Sequence, residues 1–287
     1  MWRVESADLK VGRYSGVKPL PPGTRETPVS FHKITSKRPT SRANIALMRR
    51  RFFVDQFENK RAVMQGDAAH HLGRVLRAEP GQLYELSDGR EVWLGRIDTV
   101  TRDRVEFELT KPIPAHIPQL HITLLLSIVK FDAFEWALEK ATELGVTRIV
   151  PLAAARSEKA LLAAAPKRAD RWRKILLESA QQCRRVRLPV LETLVKPGAA
   201  FSSQRDGLRI LLSESPDAKP LRESLAGHHH SSTAVLAIGP EGGWTDDEFA
   251  AARAAGFLEA SLGKLILRAE TAVIASLAVL NFALSGE

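Results

Sequence analysis

Residues 234–272 read AVLAIGPEGGWTDDEFAAARAAGFLEASLGKLILRAETA, and this stretch decides the fold class. Ala234–Ile238 is a short continuous apolar run, the pattern of a strand buried on both faces. Gly239-Pro240-Glu241-Gly242-Gly243 follows as a loop. Thr245 then stands three residues before Glu248, the spacing of a capping box, and Gly256 stops the helix it opens. A second glycine turn comes at Leu262-Gly263, and Leu267–Thr271 leads into a strongly apolar last helix, Thr271–Leu284. Glycine-bearing loops after hydrophobic strands and before helix starts are where an open α/β sheet binds a small ligand.

Working outward, the chain upstream keeps the same alternation. His121–Val129 and Thr147–Leu152 are predicted strands, and so is Arg209–Leu212. Asp132–Leu144 is a predicted helix with Asp132 as N-cap, Glu135 three residues on, and Phe134, Leu138 and Ala141 on one face. Lys167–Cys183 is a second helix, with Trp172, Ile175, Leu176, Ser179 and Cys183 on one side. Strands alternating with helices imply βαβ units and a mainly parallel sheet.

Before residue 110 the signals change. Turn chemistry at Gly66-Asp67, Pro80-Gly81, Asp88-Gly89 and Arg102-Asp103 separates short β-like runs at Gln82–Leu86, Glu91–Ile97 and Arg104–Leu109. One short helix, Asp67–Arg77, interrupts them. Lys111-Pro112-Ile113-Pro114 through Pro118 reads as a stiff linker. The expected organisation is an extension at 1–47 without packed structure, a small β domain at 48–115 and an α/β domain at 116–287.

The 287 residues carry 42 Lys/Arg against 33 Asp/Glu, a net charge of +9. Residues 1–47 hold nine Lys/Arg and three Asp/Glu, so they supply six of that surplus. A basic chain suits an anionic partner. One cysteine excludes an intrachain disulfide and points to a reducing, cytoplasmic setting. The apolar runs fall short of the roughly 18–20 residues of a membrane span. The His228-His229-His230 run has no second cluster to complete a metal site, and neither a phosphate-loop nor a dinucleotide fingerprint occurs. On the residues alone the glycine loops remain either a ligand cradle or tight turns. Arg268 and Glu270 remain either site residues or charges at a helix start. Cys183 lies on an apolar face and reads as core.

The same residues resemble the family of bacterial ribosomal RNA methyltransferases that methylate N3 of a uridine in 16S rRNA, within the knotted SPOUT superfamily. In the small domain the resemblance rests on Arg50-Arg51-Phe52-Phe53, on His71 to Arg77, on Pro80-Gly81 and on Asp88-Gly89. In the large domain it rests on Glu139 to Val146, Gln182-Cys183, Ile238 to Gly243, Leu262-Gly263 and Ile266 to Ala272. Phe131 and Ala133 depart from the pattern, standing where the family often has Gly and Lys, Arg184 stands where it often has Gly, and Arg156-Ser157-Glu158-Lys159 matches the family's Arg-Ser/Cys motif only loosely.

The resemblance implies an α/β fold in two parts, a PUA-like β-barrel for RNA and a SPOUT domain with a deep C-terminal trefoil knot. It implies S-adenosylmethionine as cofactor, held by Leu212, Ile238, Gly239, Pro240, Glu241, Gly242, Gly243, Leu262, Gly263, Leu267, Thr271 and Ala272. Arg268 and Glu270 would be catalytic, and His71, Arg74, Arg77, Arg184 and Arg185 would grip RNA phosphates. The partners implied are 16S rRNA of the small ribosomal subunit and a second copy of the chain, packed through the knot helices, with no metal and no membrane. Other readings are a non-catalytic RNA-binding or ribosome-assembly protein, and a methyltransferase of this superfamily acting on another RNA.

Overall fold

The computed structural model describes residues 50–115, 117–228 and 231–284. The extension expected at 1–47, and His229 and His230, lie outside the described residues. Two sheets follow one another along the chain.

The first contains β1 (Arg51–Phe53), β2 (Phe57–Glu58), β3 (Arg61–Gln65), β4 (Leu83–Ser87), β5 (Val92–Val100) and β6 (Arg104–Ile113), in the order β1-β4-β5-β6-β3-β2. All its pairings are antiparallel except β1 on β4. Phe52, Met64, Leu72, Leu86, Ile97, Val105 and Phe107 form its own core. The linker expected at Lys111–Pro118 begins later than the prolines imply. Lys111, Pro112 and Ile113 extend β6 and pair with Leu94, Trp93 and Val92. Proline fits there because β3 pairs with β6 only from Arg104 to Glu108, so the missing N–H faces an unpaired edge.

The helix expected over Asp67–Arg77 is divided. α1 (Gly66–His70) passes into a wider π turn at His71–Val75. Arg77 lies beyond it with φ +51. The three-residue spacing of His71, Arg74 and Arg77 therefore does not place them on one α-helical face. The turn keeps Ala69 and Leu72 buried while Val75 is exposed.

The second sheet is wholly parallel. It holds β7 (His121–Ser127), β8 (Arg148–Leu152), β9 (Val190–Leu191), β10 (Leu208–Leu212), β11 (Lys219–Pro220), β12 (Thr233–Ile238) and β13 (Leu258–Ser261), in the order β11-β13-β10-β12-β7-β8-β9. Its helices are α2 (Phe131–Glu143), α3 (Lys159–Ala164), α4 (Ala169–Gln182), α5 (Pro197–Ser203), α6 (Leu221–Ser224), α7 (Asp246–Ala254) and α8 (Ala269–Leu284). Because strand side chains alternate, each strand feeds two cores. Ile122, Leu124, Leu126, Ile210, Leu236 and Ile238 pack with α2, α4 and α8 through Phe134, Trp172 and Leu277. Leu125, Val150, Leu211, Val235 and Ala237 pack on the other face with Phe201, Trp244 and Phe257. Two buried faces explain why these strands read as unbroken apolar runs.

Two capping expectations came out differently. Thr245 and Glu248 form the full capping box of α7. Asp132 does not cap α2: the helix starts one residue earlier, after Lys130, without a side-chain cap. Glu135, expected to complete that cap, is buried and receives Arg168 at 3.3 Å and Arg171 at 2.8 Å. The last helix is core on one side only. Val273, Ser276, Leu277 and Leu280 are buried, while Phe282 is 91% exposed.

The two sheets are joined at the end of α4. Arg51, only 7% exposed, donates through Nε and Nη2 to Glu85 and through Nη1 to the Arg184 carbonyl at 2.7 Å. Beside it the buried Ser87 hydroxyl donates to the Val186 carbonyl at 2.8 Å. Ionic, neutral and backbone groups here satisfy one another away from water, the condition under which buried polar contacts hold.

Candidate active site

The C-terminal ends of β10, β12 and β13, three neighbouring strands, open onto one cavity of about 530 Å³, a size that suits a small organic ligand. The chain after β10 contributes Leu212 to Ser215, the loop after β12 contributes Ile238 to Trp244, and the segment after β13 contributes Leu262 to Arg268. Ala269 and Ala272 close it from the start of α8, and Arg156 reaches it from the loop after β8.

Local sequence makes this lining rigid. The Gly243 N–H bonds the Pro240 carbonyl at 2.8 Å, and the Ser213 N–H bonds the Ala260 carbonyl at 2.9 Å. The buried Trp244 indole donates to the Leu212 carbonyl at 3.0 Å and so ties the β12 loop to the end of β10. Gly263 has φ +125, a backbone that side-chain-bearing residues rarely adopt, with open space where a Cβ would stand. Four of the lining residues are glycines, which present only backbone, and the lining carries Arg156, Lys264 and Arg268 together with Glu214 and Glu241. A mixed set of backbone donors and acceptors with charges of both signs fits an adenosyl amino acid, which carries a purine, a ribose, a carboxylate and two cationic groups.

Of the residues expected to hold a cofactor, Leu212, Ile238, Gly239, Pro240, Glu241, Gly242, Gly243, Leu262, Gly263, Leu267 and Ala272 all line this cavity; Thr271 does not. Arg268 lines it, is exposed, and accepts the Ala272 N–H at 2.9 Å with its carbonyl, so it stands at the very start of α8. Glu270 is half-buried in the first turn of α8 and is not part of the lining. Sequence reasoning did not identify Arg156, Ser213, Glu214, Ser215 or Trp244. The loop after β10 could have been found as the third strand end of the same edge, whereas Arg156 comes from the loop after β8, where the only signal was the loose match of residues 156–159 to the family's Arg-Ser/Cys motif.

The basic residues divide. On the first sheet's π turn Arg74 is exposed and His71 half-buried, and Arg77, just beyond the turn, is exposed. Arg185, expected to grip phosphate, is turned inward. It donates to the carbonyls of Thr142 at 2.9 Å and Val146 at 2.8 Å, closing the turn between α2 and β8. Arg184 lies 3.7 Å from Glu85 in the joint between the sheets. Among the described residues no group of three or more His, Cys, Asp or Glu could hold a metal ion, and no helix is long and apolar enough to cross a membrane.

Comparison with known proteins agrees with this geometry. Residues 116–281 match the RNA methyltransferase domain family. The ribosomal RNA small subunit methyltransferase E of Synechocystis sp. is 34% identical over 215 residues, covering 74% of this chain and 70% of that protein. The crystal structure of the Neisseria gonorrhoeae ribosomal RNA small subunit methyltransferase E bound to S-adenosyl methionine superposes with a TM-score of 0.74 at 29% identity, over 82% of this chain and 98% of that one. A Legionella pneumophila methyltransferase in complex with the same cofactor also gives 0.74, at 28% identity, over 83% and 98%. With a cavity built from three strand-end loops, and with relatives covering both sheets, this chain belongs to the ribosomal RNA small subunit methyltransferase E family.

Proposed function

We propose that this chain is an S-adenosylmethionine-dependent methyltransferase that methylates N3 of a uridine in 16S rRNA of the small ribosomal subunit. The observation that carries the reading is the cavity at the ends of β10, β12 and β13, with the exposed Arg268 on its lining, in a chain whose solved relatives bind that cofactor. Residues 212–215, 238–243 and 262–267 are the groups that would hold the cofactor. Bound there, it supplies an electrophilic methyl group.

The chain's own residues supply position and charge. Uridine N3 is a weakly acidic imide that must lose its proton before it can attack. Arg268 offers a guanidinium to the negative charge that develops on the base, the electrostatic help that counts most in such transfers. Glu270 serves the N-terminus of α8, where a carboxylate is favourable. The carboxylates on the cavity lining are Glu214 and Glu241, and the departing proton has these acceptors at the mouth. The first sheet acts as a PUA-like RNA-binding barrel with His71, Arg74 and Arg77 toward phosphates. The segment that leads from β13 into α8 belongs to the knot. The homodimer reading is supported by the exposed aromatics Phe282 on α8 and Trp136 on α2, neighbouring helices that would otherwise leave large apolar surfaces in water.

Arg268→Ala tests the assignment. Single-turnover methylation of 30S subunits should fall by about 10²–10³-fold, the cost of removing one charge-stabilising donor, without a comparable loss of S-adenosylmethionine affinity. Full single-turnover activity would remove Arg268 from the mechanism.

A further inference from the structure

Arg156 has no part in the mechanism above, yet it lines the cavity from a well-anchored loop. The residues on either side of it are fixed to different elements, one to helix α7 and one to the end of β7. The Ala155 N–H donates at 2.8 Å to the carboxylate of the buried Glu248, which also completes the α7 cap. The buried Ser157 hydroxyl donates at 2.8 Å to the Ile128 carbonyl at the end of β7. Between these anchors the Arg156 side chain is exposed and lies along the glycine loop, with Nη1 donating to the Gly242 carbonyl at 3.0 Å.

The sequence of the loop accommodates this contact. Gly243 has φ +70 and needs glycine for its backbone, whereas Gly242 does not adopt such a φ. What crowds a side chain at 242 is Arg156: a Cβ there would stand 3.1 Å from the arginine Cβ, tight enough to push the stem aside by a few tenths of an ångström, and in ordinary contact at 3.5 Å with its Cδ and carbonyl oxygen. Glycine at 242 thus leaves the arginine stem room to cross the loop. A guanidinium carries five N–H donors in a planar fork. The Gly242 carbonyl takes one of them here, and the head is exposed at the cavity lining, with Lys264 and Arg268 on the same lining. A fixed, exposed arginine at the mouth of a cavity suits a phosphate.

We infer that Arg156 is a positioning residue that takes a phosphate of the RNA strand carrying the target nucleotide and, through the Gly242 carbonyl, couples that contact to the loop that holds the cofactor. The inference rests on the proposed function. In it, RNA fixes the guanidinium, and the guanidinium fixes loop 239–243 in the form that binds cofactor. Cofactor and RNA then bind more tightly together than apart, by the same factor in either order.

The test measures the affinity of S-adenosylhomocysteine with and without saturating 30S subunits from a strain lacking this gene, for wild type, Arg156→Ala and Arg156→Lys. For wild type, 30S subunits should tighten the nucleoside by about fivefold or more. In Arg156→Ala this ratio should fall to about one, and the salt slope of 30S binding should drop by about one. Arg156→Lys keeps the charge, so it should keep the salt slope while losing most of the ratio, because an ammonium lacks the planar fork. A residue that merely propped the loop would weaken the nucleoside equally with and without 30S subunits and leave the ratio intact. An unchanged ratio and slope in Arg156→Ala overturns the inference and leaves the proposed function standing. Failure of the wild-type protein to bind 30S subunits overturns both.

Discussion

Cys183 closes α4 with a half-buried thiol whose Sγ lies 3.8 Å from the Ala180 carbonyl. Burial pushes its pKa up from the ordinary thiol value, and the nearby Arg185 only partly opposes the shift. The thiolate is the reactive form, so a raised pKa means less of it at neutral pH. Iodoacetamide should modify Cys183 more slowly than a free cysteine at pH 7.5, with the rate–pH curve displaced to higher pH. Labelling as fast as a free thiol would contradict the raised pKa. The apolar spacing of α4 placed Cys183 in the core, but the residue falls at the helix C-terminus, past the last buried turn, and stays half-buried. The partners of Glu135 and Arg185 were not legible, because each depends on a group tens of residues away. Arg171 on α4 reaches back 36 residues to Glu135 on α2, and Arg185 reaches back 43 to the Thr142 carbonyl. Spacing along a single helix contains no information about such contacts.

Among elements, α7 connects local sequence to the site. Its capping box was readable because Thr245 and Glu248 satisfy each other's backbone within one turn. What was not readable is that Glu248 also holds Ala155, and so anchors the loop that carries Arg156. Thr245→Ala should cost about 1 kcal/mol in denaturant unfolding. Glu248→Ala should cost more, because it also leaves the Ala155 N–H without its acceptor. Equal costs would show that the Ala155 contact contributes nothing. The elements misjudged from sequence failed for a related reason. A helix was expected through residue 77 because side-chain types favour it, but burying Leu72 in the first sheet's core widens the turn. Prolines at 112 and 114 read as a linker, yet the partner strand's end decides where a proline is tolerated.

Across the molecule, unbroken apolar runs revealed the α/β class, and strand-end glycines marked two of the loops that build the cavity, because those features follow from burial and close backbone approach. The individual lining residues came from the resemblance, and the loop after β10 beyond Leu212 did not show. The joint between the sheets stayed hidden. Arg51 and Arg184 look like surface charges in sequence, and only the fold brings Arg51 to Glu85 and to the Arg184 carbonyl. A charge cluster near a helix end can serve nucleic acid or the fold, and Arg184 to Arg187 show how position decides between them: Arg185 and Arg187 both donate to backbone carbonyls. The central claim concerns what the assembled molecule does to RNA. Its most direct test is mass-spectrometric nucleoside analysis of 16S rRNA from a strain lacking this gene, with and without the gene restored. The account predicts that 3-methyluridine disappears from 16S rRNA on deletion and returns with the gene, whereas an unchanged 3-methyluridine content in the deletion strain would contradict it.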